Sequence, residues 1–213
     1  MNASLPAPCR LAAVALAAAV LLPAGPAAAA DAYKLQTGDP SGTYRIDPHH
    51  SLAEFWVGHL GVSELPGRFD RIEGTFTFDA KHPERDKVSV TIPVKSLDTN
   101  DAQRDKDLLG PDFFDAKAYP TLKFTSTSVK WDNKHHGTLT GKLTLKGVTR
   151  TVHFDLHHIG AGPDPWGGYR SGYVADAAIK RSDFAMSYMQ KGISDMVQLQ
   201  LNIEGKREKK QDQ

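Results

Sequence analysis

Histidines and clustered carboxylates are the residues in this 213-residue chain whose types could do chemistry, nine His in all. Their spacing decides what that chemistry would be. On a strand, adjacent side chains point to opposite faces, so His157 and His158 cannot hold one ion together. His153 and His157 share a face but stand roughly 13 Å apart at ~3.3 Å per residue. His153 with Asp155, or Asp155 with His157, is the spacing that could share a metal, at roughly 7 Å. A solvated strand face accounts for the same residues more simply, and no metal is assigned. His135 and His136 fall in a polar turn. Asp98, Asp101, Asp105, Asp107, Asp112 and Asp115 crowd a segment that reads as short helical turns, where Asp satisfies free backbone N–H groups and the helix dipole without any acid or base role. Nucleophilic catalysis lacks its parts, since there is no G-x-S-x-G elbow and the single cysteine, Cys9, lies near the start of the chain. GTLTGKL at 137–143 is one residue short of a phosphate loop and alternates like a strand. No catalytic residue and no cofactor is assigned.

The elements that would position any site begin after a leader. Arg10, the apolar run Leu11 to Leu22 and the small residues ending in Ala28, Ala29 and Ala30 read as a secretory signal peptide over 1–30, too short in its apolar run to span a bilayer. The mature chain is expected to be exported to the periplasm without a cysteine. The 26 Lys and Arg balance 25 Asp and Glu, and loss of Arg10 evens them; nucleic acid is excluded as a partner on that charge. Residues 31–42, rich in Gly, Pro and Asp, read as a flexible leader.

From Thr43 onward the period is two. TYRID, SLAEFWVGHL, RFDRIEGTFTFD, VSVTIPVKS, TLKFTSTSVKW, TLTGKLTLKG, TVHFDLHH, YRSGYVADAAIK and MVQLQLNIEG each place apolar residues on one face and polar residues on the other. Eight or nine such strands joined by short turns imply an all-β fold, an antiparallel sheet with one buried face. The length of several strands favours closure into a barrel of about eight strands. A barrel of that size is either filled by side chains or holds one small ligand. The charged stretch 206–213 reads as a frayed tail.

One segment, Asn100 to Phe124, breaks the alternation and reads as a short helical insert near residues 100–117. Asn100 with Gln103 fits a capping box, Gly110 stops the helix, and Asp112 and Asp115 bracket Phe113 and Phe114. Two adjacent phenylalanines on a short turn belong against an apolar opening. Arg104 on the same insert either pairs with Asp101 or Asp107 or meets a polar ligand head, and Leu108 ends the helix on an apolar residue.

DPHHSLAEFWVGHLGVSELPGRFDRIEGTFTFD, RDKDLLGPDFFDAKAYPTLKF, GKLTLKGVTRTVHFDL, DPWGGYRSGY and IKRSDFAM, in this order over 43–205, resemble the YceI-like family of periplasmic polyisoprenoid-binding proteins. The resemblance implies an extended lipocalin-like barrel that holds a long-chain isoprenoid or fatty lipid. Two positions depart from the family's usual residues: Asp107, where His is common, and Ala185 after RSDF, where Gly is usual. Under this reading the inward residues Phe55, Val57, Phe76, Phe78, Val90, Ile92, Phe124, Leu143, Leu145, Phe154 and Tyr173 line the cavity. Arg104, Leu108, Phe113 and Phe114 stand at its rim, and Trp166 flanks the entrance. Each of these side chains would serve as well to pack a filled core. Three functions therefore stay open: a carrier or store of a polyisoprenoid or isoprenoid quinone, a ligand-free stress-response or interaction protein, and an enzyme acting on a lipid within the barrel. The implied partners are the lipid itself and a membrane met transiently; a homodimer is compatible with the sequence.

Overall fold

A period of two makes each strand a two-faced ribbon, and ribbons with one apolar face must curl over it. The computed structural model describes residues 38–209. The signal peptide at 1–30, residues 31–37 of the leader and residues 210–213 of the tail lie outside the described residues. Eleven strands form one antiparallel sheet: β1 Gly42–Ile46, β2 Leu52–His59, β3 Ser63–Phe69, β4 Glu73–Phe78, β5 Lys87–Pro93, β6 Leu97–Asp98, β7 Thr121–Trp131, β8 His136–Leu145, β9 Val148–Pro163, β10 Tyr169–Lys180 and β11 Ile193–Arg207. One helix, α1 Ala102–Leu108, interrupts them.

The order β1-β4-β5-β7-β8-β9-β10-β11 returns to β1, so eight strands close into a barrel. β11 performs the closure with its last residues, Gly205 to Arg207 opposite Ile46 to Tyr44. It therefore runs past the expected strand end at Gly205, and Lys206 and Arg207 pair with β1 where a frayed tail is expected. The earlier part of β11 faces β2, from Asn202 opposite Leu52 to Val197 opposite Val57. β1 and β2 thus lie end to end along one edge. β2 continues outward to β3, and β3 to the two-residue β6.

β3 is a strand that the sequence does not announce, because SELPGRF carries Pro66 and Gly67. Its outer edge is paired only at Arg68 and Phe69, so Pro66 lies on an otherwise open edge, where a missing N–H costs least. Gly67 is required by packing: the Phe55 ring lies across it, and a Cβ there would come within 2.2 Å of Phe55 Cζ. The Phe124 ring lies over Gly141 and the Phe76 ring over Gly205 in the same way. Large inward rings fit a narrow barrel because the neighbouring strands remove a side chain beneath them.

The corner between β1 and β2 is polar and buried. Asp47 accepts from Lys206 Nζ at 2.8 Å and Arg170 Nη1 at 3.0 Å, with His50 Nδ1 2.9 Å away. Burial opposes ionisation there, but hydrogen bonds from Lys206, His50 and Arg170 outweigh it and hold the carboxyl well below the usual carboxylate range. Arg170 also contacts Glu204 and Asp164.

Candidate functional site

Inward side chains from every strand except β6 surround a single apolar cavity of about 960 Å³. That volume lies at the top of the roughly 300–1,000 Å³ usual for small-molecule sites. Phe76 and Phe78 of β4, Val90 and Ile92 of β5, and Phe124 of β7 form one side of the wall. Leu143 and Leu145 of β8, Phe154 of β9 and Tyr173 of β10 continue it, and Phe55 and Val57 of β2 complete the circuit. Aromatic edges meet faces around it: Phe124 with Phe154 at 5.3 Å and 85°, Phe76 with Tyr173 at 5.2 Å and 80°.

The insert covers one end. Asp101 caps α1, its carboxylate accepting from Arg104 N–H at 2.9 Å, whereas the sequence points to Asn100 with Gln103. Asn100 instead holds the left-handed turn into the cap, φ 62°, a conformation Asn tolerates. Asp105 accepts from Thr99 N–H and Oγ1. Arg104 pairs through its side chain with neither Asp101 nor Asp107: its guanidinium donates to Thr99 Oγ1 at 2.9 Å and Thr99 O at 2.5 Å, against the cavity wall. Leu108, Phe113 and Phe114 all reach the cavity. Phe114 meets Phe69 edge-on at 5.6 Å, and Phe113 meets Tyr188 at 5.5 Å. Lys146 Nζ donates to Pro111 O at 2.7 Å, tying the insert to the β8–β9 turn.

An aromatic cluster with His158 and Asp86 lies at the opposite end. His158 stacks on Tyr173 at 4.8 Å and on Phe78 at 5.7 Å. Its pKa is lowered by burial, with His135 adding to the effect, so the imidazole is neutral at pH 7. Asp86 accepts from Trp131 Nε1 at 2.9 Å and Asp79 N–H at 2.7 Å; burial raises its pKa. Trp166 lies beyond this cluster and does not line the cavity. It is 80% exposed, outside the cavity wall, with Arg170 5.5 Å over its ring. The reason is strand length: β9 and β10 are 16 and 12 residues long, and their hairpin carries DPWGG away from the insert.

Arg181 is the residue of this site that its sequence context hides. It is buried on the cavity wall and donates to four carbonyls, those of Met186 at 2.7 Å, Tyr188 at 2.8 Å, Ile193 at 2.9 Å and Ser194 at 2.9 Å. Burial lowers its pKa while Asp195 opposes the shift. The loop from 186 to 194, which carries Tyr188 and Met189 to the mouth, is built on this one guanidinium. Only the RSDF match marks it in the sequence.

The residues weighed for a metal point outward. His153 Nδ1 lies 2.9 Å from Thr140 Oγ1, and His157 stacks on His136 at 4.5 Å. Among the described residues, Asp47, His50 and Glu204 form the one grouping with metal-ligand spacing, within 4.8 Å. Arg170 and Lys206 already neutralise its carboxylates.

A family model described as the YceI-like domain matches residues 44–205. A UPF0312 protein of Pseudomonas aeruginosa is 45% identical over 200 residues, covering 93% of this chain and 97% of that protein. Protein YceI of Escherichia coli O157:H7 is 43% identical over 194 residues, 90% and 95% of the two chains. Among solved structures, the Campylobacter jejuni YCEI protein superposes with a TM-score of 0.65 at 31% identity, over 71% of this chain and 90% of that one. Burkholderia cenocepacia BcnA gives 0.68 at 24% identity, over 75% and 98%. A polyisoprenoid binding domain from Saccharophagus degradans shares the fold at 0.59 and 15% identity, over 78% and 98%. Family model, sequence and barrel fold agree, and the chain belongs to the YceI-like family.

Proposed function

We propose that this protein binds one long-chain apolar lipid, a polyisoprenoid or an isoprenoid quinone, in the barrel cavity and carries or stores it in the periplasm. The observation that carries the reading is the cavity itself: inward residues of an eight-stranded barrel leave about 960 Å³ unfilled and apolar. A ligand-free interaction protein would fill that space with side chains. Two buried polar groups of the wall are committed to the protein, Asp86 to Trp131 and Arg181 to four carbonyls. That suits a binding protein better than an enzyme. A solved relative of this fold is described as polyisoprenoid-binding, and the leader supports export.

Burying an isoprene unit from water contributes up to ~4 kcal/mol at ~0.8 kcal/mol per CH₂-sized group, but a membrane shelters the same unit as well. Transfer between bilayer and barrel is therefore nearly neutral, which suits a carrier. Protein purified from its native host, extracted into organic solvent and analysed by mass spectrometry, should yield one dominant polyprenyl or quinone species near one per chain. An empty extract, together with no uptake of quinone or polyprenol analogues in vitro, would overturn the reading.

A further inference from the structure

The cavity mouth carries large apolar side chains where neither packing nor backbone calls for them. β2 and β3 are joined by Leu60-Gly61-Val62, a tight turn in which Val62 N–H donates to His59 O at 3.1 Å. Leu60 and Gly61 have positive φ, 52° and 69°. That geometry favours Asn-Gly. A leucine there carries the left-handed strain with its side chain 62% exposed, and Val62 beside it is 82% exposed. Met189 repeats the anomaly across the mouth, with φ 53° and 51% exposure.

The two tips form one patch. Leu60 N–H donates to Gly192 O at 2.7 Å. A Cβ built on Gly192 would lie 3.3 Å from Leu60 Cδ2 and 3.8 Å from Met189 Cε. Tyr188, half-exposed, meets Phe113, and both line the cavity with Met189. The patch is therefore continuous with the interior. Four of the eight large apolar side chains exposed among the described residues lie here. The Arg181 clasp holds the Tyr188–Met189 tip in place.

We propose that this rim docks on a lipid bilayer, with Leu60, Val62, Tyr188 and Met189 entering the boundary between headgroups and acyl chains. The inference rests on the lipid-binding reading above. What the mouth must exchange selects the occupant: an apolar chain that left into water would expose every methylene, whereas a rim seated in the bilayer joins the cavity to the acyl region directly. Lys106 borders the cavity beside Asp107 and Asp112, so apolar insertion and not net charge supplies the attachment.

The test is flotation of the purified mature protein with vesicles of phosphatidylethanolamine and phosphatidylglycerol. The double variant Leu60→Asn, Val62→Thr relieves the left-handed position at 60 and leaves the cavity lining intact, so its Tm should be unchanged or higher. Wild type should float with the vesicles. The variant should bind them about tenfold more weakly or worse, while its co-purified lipid content stays the same. Equal flotation of the two proteins, or no flotation of wild type, would overturn the docking rim. Self-association abolished in the variant without any flotation would also overturn it, assigning the patch to a second copy. Rim-dependent flotation by a protein that never carries lipid would uphold the docking face and sink the carrier reading alone.

Discussion

Ala185 adopts a conformation that its type disfavours. It ends the 3-10 turn Arg181–Phe184 in the left-handed region at φ 58°. Its side chain is exposed, so little packing offsets the strain. The Cβ penalty of ~1–2 kcal/mol exceeds the extra chain entropy that Gly loses, ~0.5–1 kcal/mol. Ala185→Gly should therefore raise stability by about 0.5–1 kcal/mol, read as a higher denaturant midpoint at constant m; a lower midpoint would show that the Cβ is contributing contacts. This position was legible in the sequence as a departure after RSDF. Arg181, four residues earlier, was not, because its value comes from carbonyls that another loop delivers. Local patterns report local geometry, and a guanidinium that donates to carbonyls 5 to 13 residues further along has none.

At the scale of elements, the insert is the informative piece. α1 is 7 residues long, too short to persist alone, and it is held by Thr99 below and by the two phenylalanines against the barrel. The apolar opening expected from adjacent Phe113 and Phe114 is present, and each finds a different partner, Tyr188 and Phe69. Both rings are only half-buried, so Phe113→Ala with Phe114→Ala should cost less than the ~3–5 kcal/mol typical of one core Phe. It should reduce co-purified lipid severalfold while the soluble yield and the unfolding transition persist. Full lipid content in the double variant would make the pair core packing. Most strands were legible from alternation; YRSGYVADAAIK coincides with β10 at Tyr169–Lys180. β3 was not, because its Pro66 tolerates an open edge and its Gly67 serves a ring on β2, facts that only pairing reveals. The cap moved by one residue for a similar reason: Asn100 is used for its left-handed backbone, leaving its neighbour Asp101 to accept the hydrogen bond.

For the whole molecule, an open apolar volume of about 960 Å³ means that stability and occupancy are linked. A ligand bound only by the folded barrel stabilises it by about 2.7 kcal/mol at a hundredfold excess over Kd, roughly 5–10 °C in Tm for a domain of this size. Protein stripped of lipid in organic solvent and refolded should melt lower by that order, and restoring an isoprenoid quinone should return the difference. A Tm indifferent to stripping would mean that the cavity is not a thermodynamic partner of the fold. That the inward faces form a barrel was legible from strand length and the single apolar face. Which strands close it was not, since the three residue pairs joining β11 to β1 span the whole described chain.

The end-to-end arrangement of β1 and β2 along β11 gives the molecule the mechanics of a split sleeve. Below the Asp47 corner the hydrogen-bonded ring is unbroken. Above it, the wall from β3 to β7 passes through the two-residue β6 and single bonds such as Val94 N–H to Pro120 O at 2.9 Å. The slit side, with β2 and β3, is thus the part of the wall joined by the fewest inter-strand bonds, and the ionic corner bridges the end where the slit meets the seam.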